Sequence, residues 1–302
     1  MGSRPALSLG LPCFGTWVPD PRALLDIARA AEDAGVDRLV VVDHVLIGTH
    51  TEKYDWDSFP GTPDWPWQEP LTLLASLAAV TSRVRLQTGI LIAPLRPPPL
   101  LAKTVATLDQ LSGGRIDLGV GTGWQAEEYT AQGIDFTERG RLLTDTIRAC
   151  RSLWTEQPAT YTWGGATVTD VFCSPQPVQT PLPVWFSGTM IERNVERIVE
   201  LGDGWLPIMG ATTDDIAAGV KTVTEAARAR GRDLGVLEVQ APMPVVRGDR
   251  GVDIEASVAD VGTLTAAGVT NLHLNLRASS SDVAEAVAAL PRWVDALTRA
   301  TS

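Results

Sequence analysis

The sequence predicts a closed (β/α)8 barrel of the TIM type, with insertions after strand two and before strand five. Three observations carry the prediction. Short β-rich runs alternate with helically periodic stretches along the whole chain, about eight times over. The 302-residue length suits one barrel of that size. No Pro/Ser/Gly-rich or charge-biased linker divides the chain, so residues 1–302 read as a single domain. An open, doubly wound sheet is the alternative that the same alternation permits.

Residues 5–13 open with a strand-like run, and Asp20 stands as an N-cap before Pro21 at a first helical turn. Leu24, Ile27, Ala28, Ala31 and Ala34 follow at helical spacing, and Gly35 closes the helix. The apolar run 38–42 reads as a buried parallel strand. A helical stripe through Leu71, Leu74, Ala75 and Ala78 precedes a strand over 84–92. Pro97, Pro98 and Pro99 start a helix carrying Leu101, Val105, Leu108 and Leu111. A strand over 116–120 leads into helical sequence to about Trp154. Later strands are expected at 184–186, 204–207, 237–246 and 271–276, and helices at 191–201, 214–230, 253–267 and 281–297. Residues 46–69 and 158–182 are the two insertions: an aromatic, Pro-rich loop and a small β excursion.

Composition excludes several classes. A formal net charge of −11 (25 Lys+Arg against 36 Asp+Glu) argues against a general nucleic-acid or membrane-surface binder. No apolar run reaches the roughly 18 residues of a membrane span, and the N-terminal stretch does not make a signal peptide. Cys13, Cys150 and Cys173 lie far apart without metal-ligand spacing, as expected of reduced thiols in a cytoplasmic protein. With three histidines, clustered-imidazole metal chemistry is not expected. Metalloprotease, nucleophile-elbow and phosphate-loop motifs are absent as well. An organic cofactor that brings its own reactivity is the reading left, together with a small-molecule substrate.

Several places draw the eye. Gly119, Gly121 and Gly123 follow one strand and precede helical sequence; such a turn either admits an anion to backbone N–H groups or is simply a tight connection. Ser187, Gly188 and Thr189 repeat the arrangement after the next strand, as a phosphate contact or as helix N-caps. Asp43 and His44 end strand two: His44 fits a general acid/base that Asp43 orients, or a hydrogen-bonded surface histidine. Trp56, Trp65 and Trp67 crowd the loop after strand two, as a pocket wall or packed on the barrel body. Gly89, ahead of Ile90, breaks the third strand pattern, either as a mark of a bulge or close backbone approach or simply as a strand-end glycine. His273 alternates with leucines in its strand and can face either the lumen or the helices.

The segment SRVRLQTGILIAPLRPPPLLAKTVATLDQLSGGRIDLGVGTGWQAEEY (82–129), with VVVDHV (40–45), VWFSGTM (184–190) and ELGDGWLP (200–207), resembles the luciferase-like monooxygenase superfamily. The similarity is best to its coenzyme F420-dependent oxidoreductases, and it spans most of residues 5–210. It implies a flavin-type ring at the C-terminal mouth of a barrel, with a non-prolyl cis peptide behind the ring at Gly89-Ile90. It implies phosphate and tail contacts at Gly121, Thr122, Gly123, Ser187, Gly188 and Thr189, and a reactive-carbon neighbour at His44 beside Asp43. Where some family dehydrogenases carry a proton-donating glutamate after the GTG turn, this chain has Trp124, which places sugar-phosphate oxidation in doubt and makes Trp124 a wall of an apolar pocket. The expectation is hydride transfer between F420 and a small apolar or conjugated substrate. The alternatives are an FMN-dependent monooxygenase and a non-catalytic ligand-binding barrel. A homodimer is a further expectation, drawn from the family.

Overall fold

The computed structural model describes residues 4–54, 59, 61–235, 237–249 and 251–301. Eight parallel strands close on themselves: β1 Ala6–Gly10, β2 Arg38–Val41, β3 Arg85–Thr88, β4 Ile116–Gly121, β5 Val184–Ser187, β6 Gly204–Leu206, β7 Glu238–Pro242 and β8 Asn271–Asn275. Closure is made by β1 against β8, with Ala6 opposite Asn271 and Gly10 opposite Asn275. The open doubly wound alternative is thereby excluded.

Alternation along the strands sorts the side chains. Leu7, Leu9, Leu39, Val41, Leu86, Leu118, Val120, Leu272 and Leu274 are all wholly buried and join the helices in one apolar core. The intervening positions fill the lumen with Ser8, Gln87, Gln240 and Asn271, linked by hydrogen bonds of 2.6–3.4 Å. His273 belongs to this inner set: an added Cβ at Gly10 would stand 2.8 Å from its Nε2.

Several expected boundaries move. Asp20 accepts from the N–H of Arg22 and caps only a turn; α1 runs Ala23–Ala34 behind it and ends on left-handed Gly35. The third strand is broken after Thr88 and resumes at Leu91–Ile92, which pairs with Val120 and Gly121. The seventh strand stops at Pro242, and Val246–Gly248 forms a separate hairpin with Gly251–Asp253. Residues 253–267 make two helices, Ile254–Val258 and Val261–Ala266. The last stretch restarts at Leu290, where Pro291 has no N–H to continue Val283–Ala288. On the Pro98–Ser112 helix, Leu101, Val105 and Leu108 are buried, whereas Leu111 is 68 % exposed and belongs to no core.

Both insertions are present. Residues 158–182 carry an antiparallel hairpin, Ala159–Trp163 with Ala166–Val171. The loop after β2 folds back along the exit of β1: Gln68 donates to the Cys13 carbonyl at 3.0 Å and Gly15 to that of Pro66 at 2.9 Å. No helix among the described residues is long and apolar enough to cross a membrane.

Candidate active site

Parallel strands deliver all their exits to one rim, and the singled-out residues gather there. β4 and β5 are neighbours, with Val120 opposite Phe186, so the turns at 121–123 and 187–189 emerge side by side. Between the broken halves of strand three the Gly89–Ile90 peptide is cis. A Cβ on Gly89 would lie 2.4 Å from Val40, so the close approach to β2 requires glycine there. Cβ atoms on Gly121 and Gly123 would meet Ile90 and Ile92 at 3.0 and 2.9 Å, so these glycines also let the bent third strand lie against the turn.

The second turn is free of the capping role. Its helix, Glu192–Leu201, has Ile191 at the N-cap position and no side-chain cap, so neither Ser187 nor Thr189 caps it. Gly188 has φ +124°, a conformation that glycine alone adopts readily, and its N–H donates to the Leu206 carbonyl at 3.1 Å. Buried Asn194 braces the turn by donating to the Thr189 carbonyl at 3.1 Å.

His44 is almost enclosed, with 10 % of its side chain exposed. Asp43 does not orient it. The Asp43 carboxylate turns the other way, accepting from the Ile92 N–H at 2.8 Å and from both terminal nitrogens of Arg96 at 2.6 and 3.0 Å. Arg96 also reaches Glu69 at 3.1 Å. Asp43 therefore fixes strand three's bent end to β2, and the partner of His44 is Glu128. Its Oε2 lies 3.1 Å from His44 Nδ1, while Oε1 accepts from the Val45 N–H at 2.7 Å. A carboxylate only accepts, so Nδ1 is the donor and Nε2 stands outside this pair. No local signal separates buried Glu128 from Glu127, whose carboxylate sits 3.8 Å from Lys53.

An aromatic wall surrounds the imidazole. Trp67 meets it edge-on at 4.7 Å and Trp124 at 5.9 Å, with Tyr54 and Phe59 packed on Trp124. Phe14 stacks flat on Trp67 at 4.3 Å. Trp65 has a different place: it packs over Gly15 and Gly61, beneath the guanidinium of Arg277 at 5.3 Å. Trp56 lies outside the described residues. Among the described residues, the indole nitrogens of Trp67 and Trp124 are buried without a hydrogen-bond partner. Sequence reasoning passed over Glu128, Arg96, Phe14, Tyr54 and Phe59, all of which join the site through folding.

Among the described residues no three His, Cys, Asp or Glu side chains gather to hold a metal. A planar ring with a phosphorylated tail fits what is there. The wall offers unpartnered indole donors, and the paired turns offer the Thr122, Ser187 and Thr189 hydroxyls beside side-chain-free backbone.

Fold and rim together define a barrel enzyme architecture with a ligand seat at the strand C-termini. The chain belongs to the luciferase-like monooxygenase family, whose model matches residues 5–289. It is 34 % identical over 211 residues to an uncharacterised protein of Mycobacterium tuberculosis (strain ATCC 25618 / H37Rv), covering 68 % of this chain and 74 % of that one. It is 30 % identical over 224 residues to an F420-dependent glucose-6-phosphate dehydrogenase of Amycolatopsis mediterranei, covering 71 % and 62 %. Among solved structures, an F420-dependent secondary alcohol dehydrogenase superposes with TM-score 0.79 at 18 % identity, covering 98 % of this chain and 99 % of that one. EDTA monooxygenase from Chelativorans sp. BNC1 superposes with TM-score 0.78 at 13 % identity, covering 98 % and 94 %. These two likenesses are of fold. The family thus holds both F420-dependent oxidoreductases and monooxygenases.

Proposed function

We propose that this chain is an oxidoreductase that binds the deazaflavin F420 and exchanges hydride with a small apolar or conjugated organic substrate under the 46–69 loop. The observation that carries the reading is the pairing of the two turns on adjacent strands, both opening at the rim that holds His44. The 30 % identity to an F420-dependent dehydrogenase supports the choice of cofactor. Thr122, Gly123, Ser187, Gly188 and Thr189 would hold the phosphate, and Ile90, on the cis peptide, would back the ring. When bound, a deazaflavin supplies two-electron hydride exchange at its C5 carbon.

The chain's own residues do the rest. Glu128 fixes the tautomer and orientation of His44, and Nε2 moves the proton that accompanies hydride. Trp67, Trp124, Tyr54 and Phe59 exclude water and take the flat body of the substrate. Trp124 occupies the place of the glutamate found in some family dehydrogenases, which leaves His44 as the acid/base on this side.

An absorbance titration of the apoprotein tests the reading. Saturable binding of F420, with FMN bound far more weakly, is the expected outcome. Tight FMN binding with oxygen consumption in the presence of a reductant would replace it with the monooxygenase reading. A folded protein that takes neither would leave a ligand-binding barrel without redox chemistry.

A further inference from the structure

Glu128 reaches His44 from a helix too short to hold itself in place. The Ala126–Ala131 helix has six residues, and a helix of that length has little stability of its own in water. Contacts with the body of the protein must therefore fix it. Its buried residues are Glu128 and Tyr129. Successive side chains on a helix point about 100° apart, so these two grip in different directions. The Glu128 carboxylate meets His44 Nδ1 at 3.1 Å and the Val45 N–H at 2.7 Å. The Tyr129 phenol turns elsewhere and donates to the carbonyl of Thr122, the residue that follows β4.

Tyr129 is wholly buried in a small cluster of its own with Ile92 and Leu95, and Ile90, Ile134 and Phe136 pack against it. The Phe136 ring meets it edge-on at 5.3 Å. Ile92 belongs to the bent end of strand three, and its N–H is bound by Asp43, the chain neighbour of His44. Burial pushes the phenol up, so it stays a neutral donor. A phenylalanine would fill the same space with no hydroxyl to satisfy. Apolar contacts are non-directional and let a helix slide or turn slightly, whereas an O–H aimed at one carbonyl fixes its register. General acid–base transfer works only over about 2.6–3.2 Å, so slight movements of the histidine matter.

We propose that Tyr129 is a positioning residue for His44: its hydroxyl ties the Ala126–Ala131 helix to the end of β4, and through Glu128 that anchor sets the tautomer and direction of the imidazole. Tyr129 touches neither the histidine nor the ligand seat's aromatic wall, and acts only through the carboxylate beside it. The consequence for proton transfer rests on the oxidoreductase reading above. The anchor itself belongs to the folded chain and can be measured with no cofactor or substrate present.

With only His44, His50 and His273 in the chain, NMR of the imidazole nitrogens can follow each ring in the free protein. On the alkaline plateau of its titration, a His44 held as the Nδ1–H tautomer gives two widely separated nitrogen shifts. A ring released from the carboxylate exchanges between tautomers, and its two shifts converge. Wild type should show the separated pair and Glu128→Ala the converged one. Tyr129→Phe, checked for folding by circular dichroism, should weaken the His44–Glu128 contact roughly fivefold, the scale of one hydrogen bond, and move the shifts part-way to those of Glu128→Ala. Ile134→Val, which loosens the same cluster but keeps the hydroxyl, should leave them at wild-type values. Wild-type His44 shifts in Tyr129→Phe overturn the proposal. An equal displacement in Ile134→Val does so too, because Tyr129 would then act by packing alone. Failure of the protein to bind F420 would overturn the deazaflavin reading and leave these spectra unchanged, so the two failures are told apart.

Discussion

The two ends of the barrel treat polar groups in opposite ways. At the N-terminal end Asp117, 2 % exposed, is clamped by Arg38 at 2.7 Å and by both reaching nitrogens of Arg85 at 2.6 and 2.7 Å. Gln179 and Glu238 extend the cluster, and Arg38 also lies 4.6 Å over the Trp185 ring. Among the described residues, Arg38 Nη1 is left without a partner there, as are Asn271 Nδ2 and Gln87 Nε2 in the lumen beside it. At the C-terminal end the Trp67 and Trp124 indole nitrogens and Asn194 Oδ1 are buried and unpaired among the described residues. The chain pairs the charges of its floor internally and leaves these rim groups bare. Buried polar groups cost free energy when unpaired, so a ligand seated at the rim would restore partners to the groups left bare there.

That contrast can be broken at either end. The largest effect is expected at the floor: Asp117→Ala strands two arginines in the barrel and should cost about 3–5 kcal/mol of stability, read as a shifted denaturant midpoint. A loss below about 1 kcal/mol would mean that the floor is not held by this pair. At the rim, His44→Ala should leave cofactor affinity nearly intact while turnover falls roughly a hundredfold. Turnover at the wild-type rate would remove His44 from proton transfer.

A smaller effect tests the lumen between the two ends. Burial pushes His273 down to about 4, from 6.5, with Nδ1 unpaired. The folded protein therefore refuses a proton that the unfolded chain accepts. Stability from this group is full above pH 6.5, falls as pH drops toward 4, and levels off below. The shift bounds the loss at roughly 3 kcal/mol. His273→Asn should flatten that acid limb of the stability–pH curve, and an unaltered limb would assign it to other groups.

Much of this was legible before folding was considered. Each barrel strand was foreseen to within a few residues, because a buried parallel strand writes itself as an apolar run bounded by turn residues. The two glycine turns and Asp43-His44 were visible for the same reason: a strand end and the residues next to it are a local pattern. Breaks inside helices were less visible. Pro291 could have announced one of them, but the division between Val258 and Val261 has no comparable residue.

Sequence by itself determined the alternation, the closed eight-stranded architecture it favours, and the rim on which the reactive groups stand, since periodicity and turn chemistry act over a few neighbouring residues. Only the tertiary structure decided who touches whom. His44 found Glu128, 84 positions away, and Asp43 turned to Arg96, 53 positions away. Carboxylates on one rim compete for several cations and N–H donors, and the winner is set by backbone directions that exist only once the strands have closed into a ring.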